Sequence, residues 1–334
     1  MTNGRVNDKS ILFVLSIDTE EEWDWSNDFP QENFNVNNVS KITDFQFLCE
    51  NLGIRPTYFV DYAVVDDADA VKVLQPHAAA NNCEIGAHLH PWCNPPFFGH
   101  VGEKESHVVN LPVDQVEQKL QALVKKLTEQ FGRAPTSFRT GRWGIDGKVM
   151  QLLVKYGFNL DSSVYPFYQN DYYSCQGAPG FPYWPSLSNP LSTDKQNKIY
   201  ELPVTVGFNH ADFLRCEKLY RLLSHPSINW LRLVGIAWHT HILRKYHLSP
   251  ELSNVNDMLS LCAMALKNNT PVLHMYMHSS SLVDNNNSLL GNKNAYAHIS
   301  DAVTQVVQQL QQQADVRFCT ISEAAAILQQ REKH

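Results

Sequence analysis

Apolar and polar positions follow two rhythms along this chain, one extended and one helical. Residues 11–15 (ILFVL) form an unbroken apolar run that passes into Ser16-Ile17-Asp18, which predicts a buried parallel strand over 11–18. Comparable short runs predict strands over 55–62, 83–88, 136–141, 158–163, 199–206, 271–278 and 316–321. Between them, apolar residues recur at three- and four-residue spacing. The stripe Val113, Val116, Leu120, Leu123, Leu127, Phe131 predicts the clearest helix, over 111–131, with Gly132 as its stop. Further helices are expected over 39–52, 67–80, 146–156, 295–313 and 322–330, with Gly53 and Gly157 closing two of them. Residues 91–111 and 165–193 read as long loops, the second rich in aromatic residues and Pro. Residues 210–265 read as mostly helical, with breaks near Pro226 and Pro250.

Strands alternating with helices predict one α/β domain over residues 1–334, built on a parallel sheet, with 210–265 as a helical insertion. Seven or eight such units suit a closed barrel, in which chemistry collects at the C-terminal strand ends.

Composition narrows the function. With 43% hydrophobic and 18% charged residues, the chain is neither disordered nor fibrous. A net charge of −7 argues against binding a nucleic-acid backbone. No apolar run reaches the ~18 residues of a membrane span. The start, MTNGRVNDKS, lacks the order of a signal peptide, and the seven cysteines include no CxxC pair. Together these predict a cytoplasmic protein with reduced thiols and no structural zinc knuckle.

The strand ends carry the candidate chemistry. Asp18 and Glu20 follow the first strand, His88 and His90 the third, Arg139 the fourth, Asp161 the fifth and His278 the seventh. One ionisable residue after an apolar run is usually a solvated terminus. Several on parallel strands converge on one mouth and supply ligands for a divalent metal together with a base and an acid. His239, His241 and His274 read instead as packing or surface histidines, and Glu21, Glu22, Trp23 and Trp25 as a loop flanking the cleft.

These strand-end residues resemble the five motifs of the polysaccharide deacetylase family, the NodB homology domain of carbohydrate esterase family four, and within it the WalW-like subgroup. The resemblance spans roughly residues 10–325 and implies a distorted (β/α) barrel of about seven parallel strands, related to the TIM barrel. It implies Asp18 as catalytic base, Glu20 as metal carboxylate, His88 as a histidine ligand, Arg139 as the arginine that orients the base, Asp161 as support for the acid, and His278 as the acid. The chain departs from the family pattern in three places. Thr19 follows Asp18 where a second Asp is usual, Trp92 stands four residues after His88 where a second His is usual, and Gly141 stands where Pro is frequent. The second imidazole ligand is therefore His90, with His100 and His107 as alternatives.

The resemblance implies a hydrolase that removes an N-acetyl group from an amino sugar of a surface polysaccharide or a lipopolysaccharide precursor. Carboxylate and imidazole ligands suit Zn²⁺, with Co²⁺ or Ni²⁺ as alternatives. Trp92, Trp143 and Tyr165 are the candidate substrate-binding aromatics. The rival readings are a metal-free carbohydrate-binding pseudoenzyme, favoured by Trp92, and another non-peptide C–N hydrolase on the same fold. Neither the sugar nor the oligomeric state follows from the sequence.

Overall fold

A strand that is apolar on both faces needs cover on every side, and the first strand has it. The computed structural model describes residues 10–23, 28–195, 197–284 and 294–332. In it β1 (Ile11–Thr19) is buried almost throughout. Around it stand β2 (Thr57–Val60), β3 (Glu84–Leu89), β4 (Ser137–Thr140), β5 (Leu160–Asp161) and β6 (Tyr200–Glu201), then β7 (Val206–Phe208), β8 (Lys245–His247), β9 (Val272–His278) and β10 (Val316–Phe318). The helices are α1 (Ile42–Asn51), α2 (Tyr62–Asp66), α3 (Ala68–Ala79), α4 (Val113–Phe131) and α5 (Gly147–Lys155), followed by α6 (Phe213–Leu223), α7 (Leu233–His239), α8 (Val255–Lys267), α9 (Ala295–Gln313) and α10 (Ile321–Arg331).

Seven strands run in the order β9–β1–β2–β3–β4–β5–β6, each parallel to its neighbours, and β10 pairs with the lower end of β1. No ladder joins β6 to β9. Instead Thr205 N donates to His274 O, Leu248 N to Thr205 O, and Tyr276 N to Leu248 O. The result is the distorted (β/α) barrel that the alternation of elements predicts.

Alternation along β1 decides what fills the barrel. Leu12 and Val14 join an inner cluster with Phe59, Leu160, Leu202 and Val272, which α10 caps through Ile321, Ala324 and Leu328. Phe13, Leu15 and Ile17 face the helix layer. With a side-chain period of two, Ser16 and Asp18 continue the inward face, so the interior changes from apolar to polar as the strand nears its C-terminal end.

Helix ends follow local chemistry. Thr320 and Glu323 form a capping box on α10, and Asp146 and Asn254 cap α5 and α8. Gly132 closes α4 with φ +72°, a left-handed conformation that glycine adopts without penalty.

Three expectations change. The regular parts of β5 and β6 are two residues each, and after β5 the chain leads to Tyr165 in the cavity wall. The region 210–265 is mostly helical, as expected, but it also contains a strand. β7 and β8 form an antiparallel ribbon that brackets α6 and α7, whereas α8 packs on α9 in the layer around the barrel. A three-residue strand such as β8 is set by its partner and leaves little periodic trace. The strand expected over 55–62 stops at Val60, and the short helix α2 follows at once, where the Asp61 carboxylate accepts from Val64 N.

Leu123 lies fully buried on the inner stripe of α4. Leu123→Ala is expected to lower unfolding free energy by about 2–5 kcal/mol, measured by urea denaturation.

Candidate active site

Parallel register brings the first pair together. On adjacent strands β1 and β9, Asp18 and His278 are direct partners, and their side chains rise into the open end of the barrel, where His278 Nε2 stands 4.0 Å from Asp18 Oδ2. Asp18 Oδ1 is held from the other side by Arg139 Nη1 at 2.5 Å. Arg139 is fully buried on β4, where it is the register partner of His88. Its remaining donors reach Ser162 O (3.0 Å), Ser162 Oγ (3.0 Å) and Ser16 Oγ (2.9 Å), and its plane lies over the rings of Phe59 and Trp143. Ser16 Oγ in turn lies 2.8 Å from His274 Nε2. Burial and the Arg139 cation keep His274 neutral, so this packing histidine supports the arginine without adding charge.

Glu20, His88 and His90 form the second group. Glu20 Oε2 lies 3.4 Å from His88 Nε2 and 3.2 Å from His90 Nε2, and the three donor atoms fall within 4.8 Å of one another. Both imidazoles are anchored from behind: His88 Nδ1 on Arg139 O at 3.1 Å, and His90 Nδ1 on Glu21 Oε2 at 3.1 Å. Anchoring each Nδ1 aims each Nε2 at the same point, which is how outer partners prepare histidine ligands. Two imidazoles and a carboxylate with room for a further ligand match a catalytic zinc-type donor set. Of the alternatives for the second imidazole, His107 lines the cavity outside this group and His100 lies at a separate depression.

The departures from the family pattern compensate one another. His88 and His90, two apart at an extended strand end, share a face, so a helical turn is unnecessary. His90 fits because position 141 is glycine: a Cβ there would lie 1.9 Å from His90 Cδ2. Trp92 is buried, its ring 4.3 Å from that of His90 and its indole N–H bonded to Glu21. It touches the cavity, but its main contacts hold His90 in position rather than offer a free stacking face.

Glu21, read from sequence as flanking loop, proves central. Burial opposes its ionisation, but His90 and its hydrogen bonds keep it ionised, down to about 2. Asp61 beside it is pushed well up by burial and by Glu21, and so stays protonated. Burial, Glu21 and Asp61 likewise keep the Cys93 thiol protonated. Glu21, Asp61, His90 and Cys93 each bring one possible ligand atom within 4.8 Å of the others, a second group that shares His90 with the first.

Asp161 does not support His278. Its Oδ1 accepts from Ser163 Oγ at 2.6 Å, and it lies against Glu201, whose carboxyl burial and Asp161 push well up. The partner of His278 is Glu251, whose Oε2 is 3.0 Å from His278 Nδ1 and which also accepts from Ser281 Oγ. Burial favours neutral His278, but Glu251, Glu20 and Asp18 outweigh it and hold the imidazolium up to about 10. Glu251 stands in a turn between β8 and α8, where no periodic signal marks it.

Asp18, Glu20, His88, His90, Glu251 and His278 line one cavity of about 460 Å³, an ordinary size for a small-molecule site. Trp143 and Tyr165 stack in its wall at 4.8 Å. Arg142 and Trp143 have φ near +60°, a costly conformation that turns this corner of the chain into the cavity. Tyr165 Oη bonds to Tyr276 Oη and to His247 Nδ1, both at 2.8 Å. Of the other residues read as flanking loop, Trp23 lines the cavity, Glu22 bonds to Asn35, and Trp25 lies outside the described residues.

No family model matches the chain, and no curated protein matches it. Solved structures do. A glycoside hydrolase/deacetylase from Parabacteroides distasonis superposes with TM-score 0.58 at 14% identity, over 96% of this chain and 71% of its own. A protein from Mycobacterium smegmatis assigned as a polysaccharide deacetylase gives 0.53 at 13%, over 98% and 93%. A PuuE allantoinase gives 0.51 at 14%, over 96% and 91%. The fold is therefore that of the NodB-like polysaccharide deacetylases. At such identities the likeness speaks for fold and not for the WalW-like subgroup, so function must be argued from the site.

Gly141→Ala is expected to force the His90 ring from its place between Glu20 and Glu21. The His90 imidazole resonances should shift while the barrel keeps its circular dichroism. Unchanged resonances would show that the ring does not depend on this gap.

Proposed function

We propose that this protein is a metal-dependent hydrolase that removes the N-acetyl group from an amino sugar of a surface glycan or its precursor. The observation that carries the reading is the meeting of Asp18 and His278 across one cavity, each held by its own partner, beside the Glu20–His88–His90 group.

Glu20, His88 and His90 would hold the metal. When bound, a divalent ion polarises the amide carbonyl and makes water easier to deprotonate. Zn²⁺ suits these ligands, and Co²⁺ or Ni²⁺ would also fit them. Asp18 takes the proton of the attacking water through Oδ2, the oxygen not committed to Arg139. Arg139 holds that carboxylate in orientation by a charge-assisted hydrogen bond. As the oxygen–carbon bond forms and the carbon–nitrogen bond breaks, His278 gives its Nε2 proton to the leaving nitrogen, and acetate and a free amine result. Glu251 holds the tautomer and charge of His278, the part the sequence reading gave to Asp161. Trp143, Tyr165 and Tyr276 offer apolar faces and hydroxyl groups to a sugar ring, and Trp92 supports the ligand side.

A metal-free carbohydrate-binding protein drew its support from Trp92 in place of histidine. His90, aimed at Glu20 by Glu21, weakens that support. The allantoinase likeness keeps another C–N hydrolysis as an outcome of the test.

Purified protein loaded with Zn²⁺ or Co²⁺ should release acetate from N-acetylated amino sugars. Failure to bind either metal, or to release acetate from any such sugar, would sink the proposal. Glu20→Ala is expected to lose both metal and activity, whereas His278→Ala should keep metal by elemental analysis and lose about 10²–10⁴-fold in rate.

Glu251→Gln tests the acid through its pH profile. Activity should fall as pH rises through the His278 pKa, because the charged form donates the proton. Glu251 raises that pKa, so removing its charge should move the alkaline limb to lower pH while metal content stays unchanged.

A further inference from the structure

The excursion between β7 and β8 presents a surface that the cavity chemistry does not use. Residues 212–245 hold four exposed basic side chains, Arg215, Lys218, Arg221 and Arg232, with Arg244 and Lys245 half-buried beside them, against Asp212, which pairs with Arg215, and the buried Glu217, in a chain of net charge −7. The same stretch is where the protein exposes its apolar residues. Of the fourteen large hydrophobic side chains exposed among the described residues, eight lie between Leu214 and Ile242. Trp230 is 77% exposed, Leu214 63%, Leu222 62% and Ile242 60%.

This exposure is built into the helices. α6 turns Phe213 and Cys216 inward and leaves Leu214, Lys218 and Leu222 along one outward stripe at four-residue spacing, with Arg215 and Leu219 beside it. α7 packs against α6, buries Ala237 and leaves Ile236 and Trp238 exposed. The Arg244 guanidinium lies 5.3 Å over the Trp238 ring. Isolated exposed apolar residues need no explanation, but a cluster of them does. Leu, Ile and Trp interleaved with Lys and Arg is the composition of an element that lies in a membrane interface.

We propose that the α6–α7 excursion docks onto an anionic lipid bilayer, seating its apolar side chains among the acyl chains and its cations among the headgroups. Charge selects this occupant. A second copy applied through the same face would set two patches of net positive charge against each other, whereas an anionic bilayer complements the cations and accepts the apolar groups. No described helix is long and apolar enough to cross a membrane, so attachment is in the plane of the surface. The docked face connects directly to the cavity. β8 leaves the excursion with Lys245 donating to Phe167 O at 2.7 Å, and ends at His247, bonded to Tyr165 and Tyr276 in the cavity wall.

The test uses the full chain and vesicles, and needs no catalytic activity. The protein should sediment with vesicles of equimolar phosphatidylglycerol and phosphatidylcholine, but not with phosphatidylcholine alone. The variant Arg215→Gln/Lys218→Gln/Arg221→Gln/Arg232→Gln should lose about fivefold in partitioning per cation removed. The variant Leu222→Ser/Trp230→Ser/Ile236→Ser should lose about tenfold or more, while Phe47→Ser, on α1, leaves binding unchanged. Should either multiple variant fail to fold by circular dichroism, quenching of the unaltered protein's tryptophan emission by brominated phosphatidylglycerol replaces it, and no quenching would overturn the proposal. So would absence of sedimentation with the anionic vesicles, or an equal loss in Phe47→Ser. A dimer in analytical ultracentrifugation that the apolar variant dissociates, without vesicle binding, would assign the face to a second copy and overturn it too.

Discussion

A guanidinium held away from water fixes the geometry on which the cavity depends. Desolvating an ion pair costs more than its bare attraction commonly returns, so a buried pair must satisfy its other donors or fail. Arg139 meets that condition through Asp18 and Ser16 on β1 and Ser162 after β5, with the rings of Phe59 and Trp143 against it. These contacts bind one side of the barrel to the other at the level where its interior turns from apolar to polar. They also divide the Asp18 carboxylate. Oδ1 is committed to the arginine, and Oδ2 faces His278. Removing Asp18 would therefore strand a buried cation.

His90 is organised by the same economy of buried charge. It sits between two consecutive carboxylates, Glu20 at Nε2 and Glu21 at Nδ1. Burial disfavours the imidazolium, but the two carboxylates hold it charged. A divalent cation set against Nε2 would replace a proton there, so the site already balances positive charge at the point where the ligands aim. Around Glu21, the indole N–H of Trp92 and the undissociated Asp61 and Cys93 supply hydrogen bonds without adding negative charge. The side chain four residues after His88 has thus changed from a place among the ligands to a place behind one.

Much of this was legible in the sequence because the barrel sets its chemistry where apolar runs stop. Asp18, His88, Arg139 and His278 each follow or end such a run, and the parallel register brings all four to one mouth. The fold was legible for the same reason, through β1, β9 and the stripe of α4. What escaped notice lacks that signal. Glu251 lies in a turn whose position depends on the β7–β8 ribbon, and that ribbon exists only through pairing of segments some forty residues apart. Asp161 illustrates the opposite error. It stands at a strand end as expected, but β5 is so short that its side chain stays among Ser163 and Glu201 and does not reach His278.

The aromatic segment after β5 divides its work, which bears on how one fold can serve different amide substrates. Tyr165, Tyr168 and Tyr173 line the cavity, and Tyr165 joins Tyr276 and His247 in a hydrogen-bonded group. Burial and the Lys245 cation push His247 down to about 3, so this group presents hydrogen-bonding atoms without a charge. Farther on, Tyr183 bonds to Pro190 O, and Trp184 packs on Tyr200 and bonds to Glu332. These later residues pin the loop to the barrel. The polar floor of the cavity is thus carried on rigid strands, whereas the neutral, aromatic wall is carried on a long connection. Changes in that connection can alter which ring or chain is accepted while Asp18, Arg139 and His278 stay in register. On the proposed function, discrimination among amides would belong to the wall, and bond cleavage to the floor.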